Sequence, residues 1–217
     1  MSTLPMFPLG NVLFPHMVLP LHVFEPRYRA LVDDVLAGDK RFGVPLITRG
    51  HEVGGGDERT DVGTVAQILR AEQLDDGRWL VVGLGTSRFR VTRWLPDDRY
   101  PIAEVEPLDD APAATGDDHD LTTARERLVG PLRRVLAMLS ELGEDGVPAT
   151  LELDDDPEVA GWQTAVLAPL NPLDAQRVLA STDLGDRLAM LDELLEGIEQ
   201  LLGFQLATGG PTASADD

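Results

Sequence analysis

Side chains that could carry out catalysis or hold a metal are few in this sequence, and their spacing is unfavourable. His16 and His22 are six residues apart with no carboxylate between them, and the chain has no cysteine. Protein metal sites need several such ligands at close quarters. Glu25 and Arg27 could transfer protons or clamp a substrate, but Pro26 between them is typical of a helix start. We therefore expect structural roles for all four residues, no metal or cofactor, and no enzymatic activity.

Arg88, Arg90 and Arg93 are the main local concentration of positive charge. They fall in a predicted strand, on which Arg88 and Arg90 share a solvated face. Contact with RNA phosphates is the chemistry that such a row could support. Single-strand binders also need stacking aromatics, and Trp94 is the nearest one. A formal net charge of −20 further repels nucleic acid and anionic membranes. RNA binding is therefore the weaker alternative.

Two glycine-containing segments resemble nucleotide sites only superficially. Gly83 and Gly85 form a GxG pair, but Arg88 stands where the dinucleotide pattern requires another glycine. We expect a bulge or a close backbone approach there. The run of glycines between Arg49 and Asp61 is followed by no lysine and no helical pattern, so it predicts the tip of a hairpin rather than a phosphate site.

The stretch from Leu4 to Tyr28 has no charged side chain before Glu25, and up to that residue it is interrupted by Pro5, Pro8, Pro15 and Pro20. Proline lacks a backbone donor, so this stretch is predicted to form short extended pieces joined by corners. One corner contains Phe14, Pro15, His16 and Met17. We predict that Phe14, His16 and Met17 are exposed there and, with Pro15, bind apolar segments of other polypeptides.

The periodicity after this stretch predicts a helix and then several strands. Tyr28, Leu31, Val32, Val35 and Leu36 recur at helical spacing. Asp76-Gly77 between two strand-like runs is a hairpin signal. The segment from Trp79 to Val82 is apolar without alternation, which predicts a strand covered on both faces. A small barrel or folded-over sheet with one inserted helix is therefore expected over residues 1–108.

The second half of the sequence is helical and acidic. Residues 109–120 have the composition of a linker, and residues 121–207 carry leucines at helical spacing, interrupted by Gly130-Pro131, which should kink or split the first helix. Residues 208–217 are small and polar, as in a disordered tail. Residues 109–217 hold a net charge of −17, against −3 for residues 1–108.

Several separated motifs in the first half resemble the N-terminal substrate-binding domain of the Lon proteases. They are MFPLGNVLFP, LPLHVFEPRYRALV, FGVPLI, VGTVAQI, a hairpin with DGR, and GTSRFRV, in this order over residues 4–106. The resemblance implies an α+β fold, in which a PUA-like β pseudo-barrel with an inserted helix is followed by a C-terminal helical bundle. The motif positions expected to be structural are Pro8, Pro20, Phe24, Glu25, Arg27, Tyr28, Gly63 and Gly77.

The sequence departs from full-length Lon proteases in ways that affect the expected function. It has no Gly-Lys-Ser/Thr run for an ATPase. Its single lysine, Lys40, lies in a Gly-Asp-Lys-Arg turn, whereas Lon-type peptidases pair a lysine with a serine. The resemblance thus implies a stand-alone bacterial recognition module for unfolded or tagged polypeptides, with a protease or chaperone as partner. We expect a cytoplasmic protein without membrane association, as a monomer or a weak homodimer through its last helix.

Overall fold

The computed structural model describes residues 2–49, 58–96, 98–111, 118–144, 148 and 150–208. This part of the chain forms β1 (Ser2–Pro5), β2 (Val18–Val23), α1 (Pro26–Leu36), β3 (Arg41–Arg49), β4 (Glu58–Gln73), β5 (Trp79–Trp94), β6 (Ile102–Pro107), α2 (Asp118–Glu141), α3 (Pro157–Leu167), α4 (Pro172–Ala180) and α5 (Leu184–Ala207). Two compact units result. The first contains Met1–Asp110 and Asn171–Thr182, and the second contains Ala111–Leu170 and Asp183–Asp217.

The strands of the first unit form one antiparallel sheet in the order β1-β6-β5-β4-β3, and β2 pairs with β5. The long strand β5 makes this possible, because its first part pairs with β2 and its last part with β6. The segment after β1 runs beside β3, where Phe7 N donates to Gly43 O at 2.8 Å and Ile47 N to Leu9 O at 2.8 Å. The sheet therefore closes on itself, and α1 is the predicted inserted helix.

Helix α1 begins as the sequence predicts. Glu25 occupies the N-cap position in an extended conformation, and Pro26 follows as the first helical residue. Proline is favoured there because the first amide of a helix has no acceptor within the helix. The buried face holds Tyr28, Leu31, Val32 and Val35 of the predicted set, and Leu36 is half-buried against the same core. These side chains join residues of β2 to β5 in the larger apolar core.

A second apolar cluster is formed by the start of the chain together with β5 and β6. It contains Leu4 and Met6 from the start of the chain, Phe89 and Val91 from β5, and Ala103 and Val105 from β6. Alternate residues of β5 and β6 contribute to it, as expected where one face of a strand is buried.

The predicted hairpin at Asp76-Gly77 is present between β4 and β5. Gly77 has a φ of 80°, a conformation that glycine adopts without strain. Leu74 N donates to Arg78 O at 2.8 Å, which closes the turn. The proposed glycine-rich tip of the hairpin between β3 and β4 falls at residues 50–57, outside the described residues.

The second unit is built from α2, α3 and α5. Their buried side chains, apart from Arg187, are Leu128, Leu132, Val135, Leu136, Ala160, Trp162, Thr164, Ala165, Leu188, Leu191, Leu195 and Leu202. Arg187 is also buried, with its guanidinium 4.0 Å from the centroid of the Trp162 ring. The expectation that Gly130-Pro131 would divide α2 is wrong, because the helix is continuous from Asp118 to Glu141 with Pro131 inside it.

The structure groups α4 with the strands, whereas the sequence placed it in a helical subdomain over residues 121–207. Gln176 of α4 donates to Val62 O at 3.0 Å. Arg88 donates to Leu179 O at 2.8 Å, near the C-terminal end of the same helix. In the proposed linker, Asp109 and Asp110 belong to the first unit and Asp118 already begins α2. Residues 112–117 of that linker and 209–217 of the proposed tail lie outside the described residues.

Candidate functional site

The corner formed by Phe14 to Met17 presents only some of the side chains that were expected to bind partners. Phe14 is 3 % exposed and Pro15 is also buried, whereas His16 is exposed and Met17 is half-buried. The prediction of exposure is therefore wrong for Phe14. The corner itself exists, since His16 has a φ of 64° and Met17 N donates back to Phe14 O at 3.2 Å.

The corner is held down by hydrogen bonds to two strands. His16 N donates to Gly85 O at 2.8 Å, and Gly85 N donates to Met17 O at 2.8 Å. Thr64 Oγ1 of β4 donates to Leu13 O at 2.5 Å. A Cβ at position 85 would overlap the carbonyl oxygen of Phe14. Gly85 thus serves a close backbone approach of the kind that the sequence predicts for the GxG pair, whereas a Cβ at Gly83 would make only ordinary contacts.

Most of the large apolar side chains that are exposed in the described part of the first unit instead gather on the outward face of β2, β4 and β5, and Leu173 on α4 is an exception. Pro20 lies opposite Val82, and His22 opposite Leu80, so these side chains point to the same side of the sheet. We define the outer patch as Val18, Pro20, Phe24, Leu69, Leu80 and Val82. The exposed fractions of these residues other than Pro20 range from 36 to 60 %.

The outer patch corrects the expectation that Trp79 to Val82 is covered on both faces. Val81 is buried in the core at 2 % exposure, while Leu80 and Val82 on either side of it face solvent. The apolar run therefore has an inner and an outer apolar face. The sequence signal for the outer patch is a strand with apolar residues at its solvent positions. The same signal is expected for a strand that is buried on both faces, so it does not distinguish the two cases. Contiguous exposed apolar surface of this kind is a common mark of an interaction site.

A cavity of about 220 Å³ adjoins the outer patch at the start of α1. Its apolar walls include Phe7, Leu9, Leu21 and Tyr28, and Glu25 contributes a carboxylate. Pro20 and Phe24 line the cavity as well as belonging to the outer patch. The two features therefore form one continuous surface along β2.

The Glu-Pro-Arg-Tyr segment builds the floor of this cavity. The rings of Phe7 and Tyr28 stack with centroids 4.1 Å apart, and the Arg27 guanidinium lies 4.4 Å from the centroid of the Tyr28 ring. Arg27 Nε donates to Glu25 Oε2 at 3.1 Å. These contacts support the structural roles expected for Glu25, Arg27 and Tyr28. Phe24 differs, because its ring is 53 % exposed beside His22.

Of the other expected structural positions, Gly63, Gly77 and Pro8 are closely packed and Pro20 is not. A Cβ at Gly63 would meet the backbone of Val44 on β3 and the ring of Phe89 on β5, so β4 could not lie as close to these groups as it does. Gly77 lies under the guanidinium of Arg29. Pro8 is buried, whereas Pro20 is exposed on the face of β2.

The arginine row of β5 is not a free basic surface. Arg88 is 6 % exposed, and its guanidinium donates to Leu179 O at 2.8 Å, to Ser181 O and to the carboxylate of Asp110. Its expected outward orientation is therefore wrong. Arg93 is exposed but pairs with Glu104, which lowers the pKa of the Glu104 carboxyl through the hydrogen bond between them. Arg90 is exposed and lies opposite Glu106 in the strand register.

Neither a metal centre nor a membrane span is found within the described ranges. No three His, Asp or Glu side chains there converge as metal ligands. None of the helices described combines the length and the apolar composition needed to cross a bilayer.

Comparison with solved structures places the fold among Lon N-terminal domains. The crystal structure of a Lon N-terminal domain protein from Xanthomonas campestris matches with a TM-score of 0.60 and 30 % identity, over 88 % of this chain and 97 % of that one. The N-terminal domain of a Mycobacterium avium complex Lon protease matches with a TM-score of 0.64 over 90 % of this chain and 98 % of that one. At 18 % identity, this second match concerns the fold alone.

Curated relatives of similar sequence are Lon proteases. That of Trichlorobacter lovleyi is 28 % identical over 93 % of this chain. Lon protease 2 of Bdellovibrio bacteriovorus is 27 % identical over the whole length of this chain. The alignments cover 25 % and 27 % of those proteins, so the chain spans about a quarter of their length.

The family comparison agrees with the motifs, the fold and these relatives. The model of the ATP-dependent protease La (LON) substrate-binding domain matches residues 3–197, which include both compact units. The chain belongs to the family of the Lon substrate-binding domain.

Proposed function

We propose that this chain is a non-catalytic module that binds exposed apolar segments of unfolded or tagged polypeptides for a proteolytic system. The observation that carries the proposal is the outer patch on β2, β4 and β5, whose side chains are exposed although they are apolar. Burying such side chains against a client favours binding without requiring a defined client sequence. Family membership supports the same role.

The binding surface in this proposal replaces part of the one expected from the sequence. His16 and Met17 adjoin Val18 in the chain and are at least partly accessible, so they extend the outer patch at one end. Phe14 and Pro15 are not part of this surface, because they are buried. We also infer that the first unit corresponds to the PUA-like pseudo-barrel and the second to the helical bundle. A weak homodimer through α5 stays a prediction, for which the exposed Leu201 and Phe204 are candidate contacts.

A binding experiment with a permanently unfolded client tests the proposal. A carboxymethylated model protein labelled with a fluorophore is titrated with the full chain, and the anisotropy is measured. Replacing both Leu80 and Val82 with serine should weaken binding at least tenfold, because each buried aliphatic side chain contributes about 1.5 kcal/mol or more. Leu173→Ser, which changes a 68 % exposed leucine on α4, is the matched control and should bind like the wild type. Equal binding by the folded double variant would contradict the proposal.

A further inference from the structure

The cavity at the start of α1 has a size that suits a single side chain. Its volume is about 220 Å³, whereas pockets for cofactors and drug-sized ligands typically have volumes of roughly 300–1,000 Å³. The cavity is therefore smaller than typical pockets of that kind and has the scale of one long amino-acid side chain.

The lining of the cavity is mostly apolar and also contains the Glu25 carboxylate and the His22 imidazole. Phe7, Leu9 and Leu21 provide apolar contacts, and the Glu25 side chain is only 16 % exposed. The Glu25 carboxylate accepts a hydrogen bond from Arg27 Nε through Oε2. A carboxylate can accept several hydrogen bonds, so a second cationic donor can share it. An aliphatic stem that ends in a positive charge matches these walls and this acceptor.

The charge of the whole chain favours the same kind of ligand. The formal net charge of −20 attracts basic segments at long range and repels acidic ones. Phe24, whose exposed ring lines the cavity, can also interact with a cation through its face. An uncharged aromatic or aliphatic side chain would contact the apolar walls of the cavity, but it would offer the Glu25 carboxylate no cationic donor in addition to Arg27.

We propose that this cavity, lined by Phe7, Leu9, Leu21 and Glu25, binds a lysine or arginine side chain of the client while neighbouring apolar client residues lie on the outer patch. Pro20 and Phe24 belong to both surfaces, so a short extended segment can contact the two at once. This inference rests on the proposed function and specifies its client as an apolar segment that carries a basic residue.

The test uses the full chain and a series of labelled apolar peptides that differ at one central position. Lysine, arginine, norleucine and glutamate are compared by fluorescence anisotropy. Norleucine keeps the aliphatic stem of lysine and removes the charge. The lysine and arginine peptides should bind about tenfold tighter than the norleucine peptide, which corresponds to about 1.4 kcal/mol. The difference should shrink as NaCl is raised, because salt screens charge pairs near the surface.

Two protein variants locate the effect. Glu25→Gln should lower the affinity for the lysine peptide to that for the norleucine peptide. Glu106→Gln removes the same charge from an exposed site on β6 and should keep the lysine preference. Leu9→Trp, which fills the cavity, is the second cavity variant in case Glu25→Gln does not fold, and it should also abolish the preference.

The outcomes separate this inference from the function on which it rests. If the norleucine peptide binds the wild type as tightly as the lysine peptide, the cavity assignment is overturned and the outer patch is unaffected. A lysine preference that survives in both folded cavity variants overturns it as well. If none of the peptides binds, the proposed function itself fails.

Discussion

Arg88 has the sequence context of a surface arginine and the surroundings of a buried structural one. Its side chain is 5 % exposed and that of its partner Asp110 is 18 % exposed. It also donates to Leu179 O, one of the last carbonyls of α4. The last carbonyls of a helix receive no hydrogen bond from an amide of the same helix, so Arg88 supplies the missing donor. The planar guanidinium can serve several acceptors at once, which a lysine ammonium at the same place cannot do in the same geometry.

We predict that Arg88→Met lowers the free energy of unfolding by roughly 3 kcal/mol, because Asp110 and the α4 carbonyls lose a buried partner. Arg90→Met, two residues along the same strand and exposed, should change it by less than about 0.5 kcal/mol. Urea denaturation followed by circular dichroism measures both. Similar stabilities for the two variants would show that the Arg88 contacts contribute little.

Tyr100 is the second residue whose surroundings predict a measurable property. Burial and then the hydrogen bond to Asp34, whose carboxylate lies 2.8 Å from the hydroxyl, raise the pKa of Tyr100 to about 12. Because the folded state holds this proton more tightly, the contribution to stability is complete below the ordinary pKa of about 10 and is lost as the pH rises through the folded value.

We predict that the Tyr100 signal in a ¹³Cζ-tyrosine NMR titration has its midpoint near pH 12, and that Asp34→Asn moves this midpoint down. The chain contains two tyrosines, and Tyr28→Phe identifies the Tyr100 signal. Circular dichroism at each pH shows the range in which the chain stays folded. A midpoint at pH 10 or below in the folded protein would be inconsistent with the contact to Asp34.

The attachment of the Phe14–Met17 corner to β5 depends on the choice of glycine at one position of the strand. At Gly85 an added Cβ would overlap the Phe14 carbonyl oxygen, whereas at Gly83 the nearest atom would be 3.7 Å away, an ordinary contact. Both residues are buried and belong to the same strand. They therefore make a matched pair for measuring what the close approach contributes.

Gly85→Ala should destabilise the chain by about 1–3 kcal/mol, because the corner or the strand must move to relieve the overlap. Gly83→Ala should have a much smaller effect. Thermal or urea unfolding of the two variants distinguishes them, and the Gly85→Ala variant should also show faster amide exchange at His16 and Met17. Equal destabilisation by the two alanines would refute the packing argument.

The charge of the molecule as a whole bears on the RNA alternative. The net charge of −20 repels a phosphate backbone at long range, and Arg88 and Arg93 already bind acidic or carbonyl partners. Arg90 stands opposite Glu106, so the row supplies little net positive potential.

We therefore predict no saturable binding of single-stranded RNA below about 100 μM at physiological salt, which is weaker than typical non-specific nucleic-acid binding. A filter-binding titration measures this, with a basic apolar peptide as the positive control for an active preparation. Micromolar RNA binding with a steep salt dependence that Arg90→Ala reduces would instead favour the RNA alternative.

Some features of the fold could be predicted because they depend on neighbouring residues. The start and buried face of α1 follow from Pro26 and from apolar residues at helical spacing. The turn at Gly77 follows from the Asp-Gly pair. The order of the motifs likewise indicates the family, because it is a property of the sequence alone.

The candidate site could not be predicted in the same way, because exposure depends on residues far apart in the sequence. Phe14 is buried because residues 13–17 are tied to Thr64 and Gly85, and Arg88 is buried because it meets α4, 91 residues further along the chain. Leu80 and Val82 face solvent because the described part of the chain covers only the inner face of β5 with core side chains. Local propensities specify which segments become helices and strands, whereas long-range packing specifies which of their faces stay open to a partner.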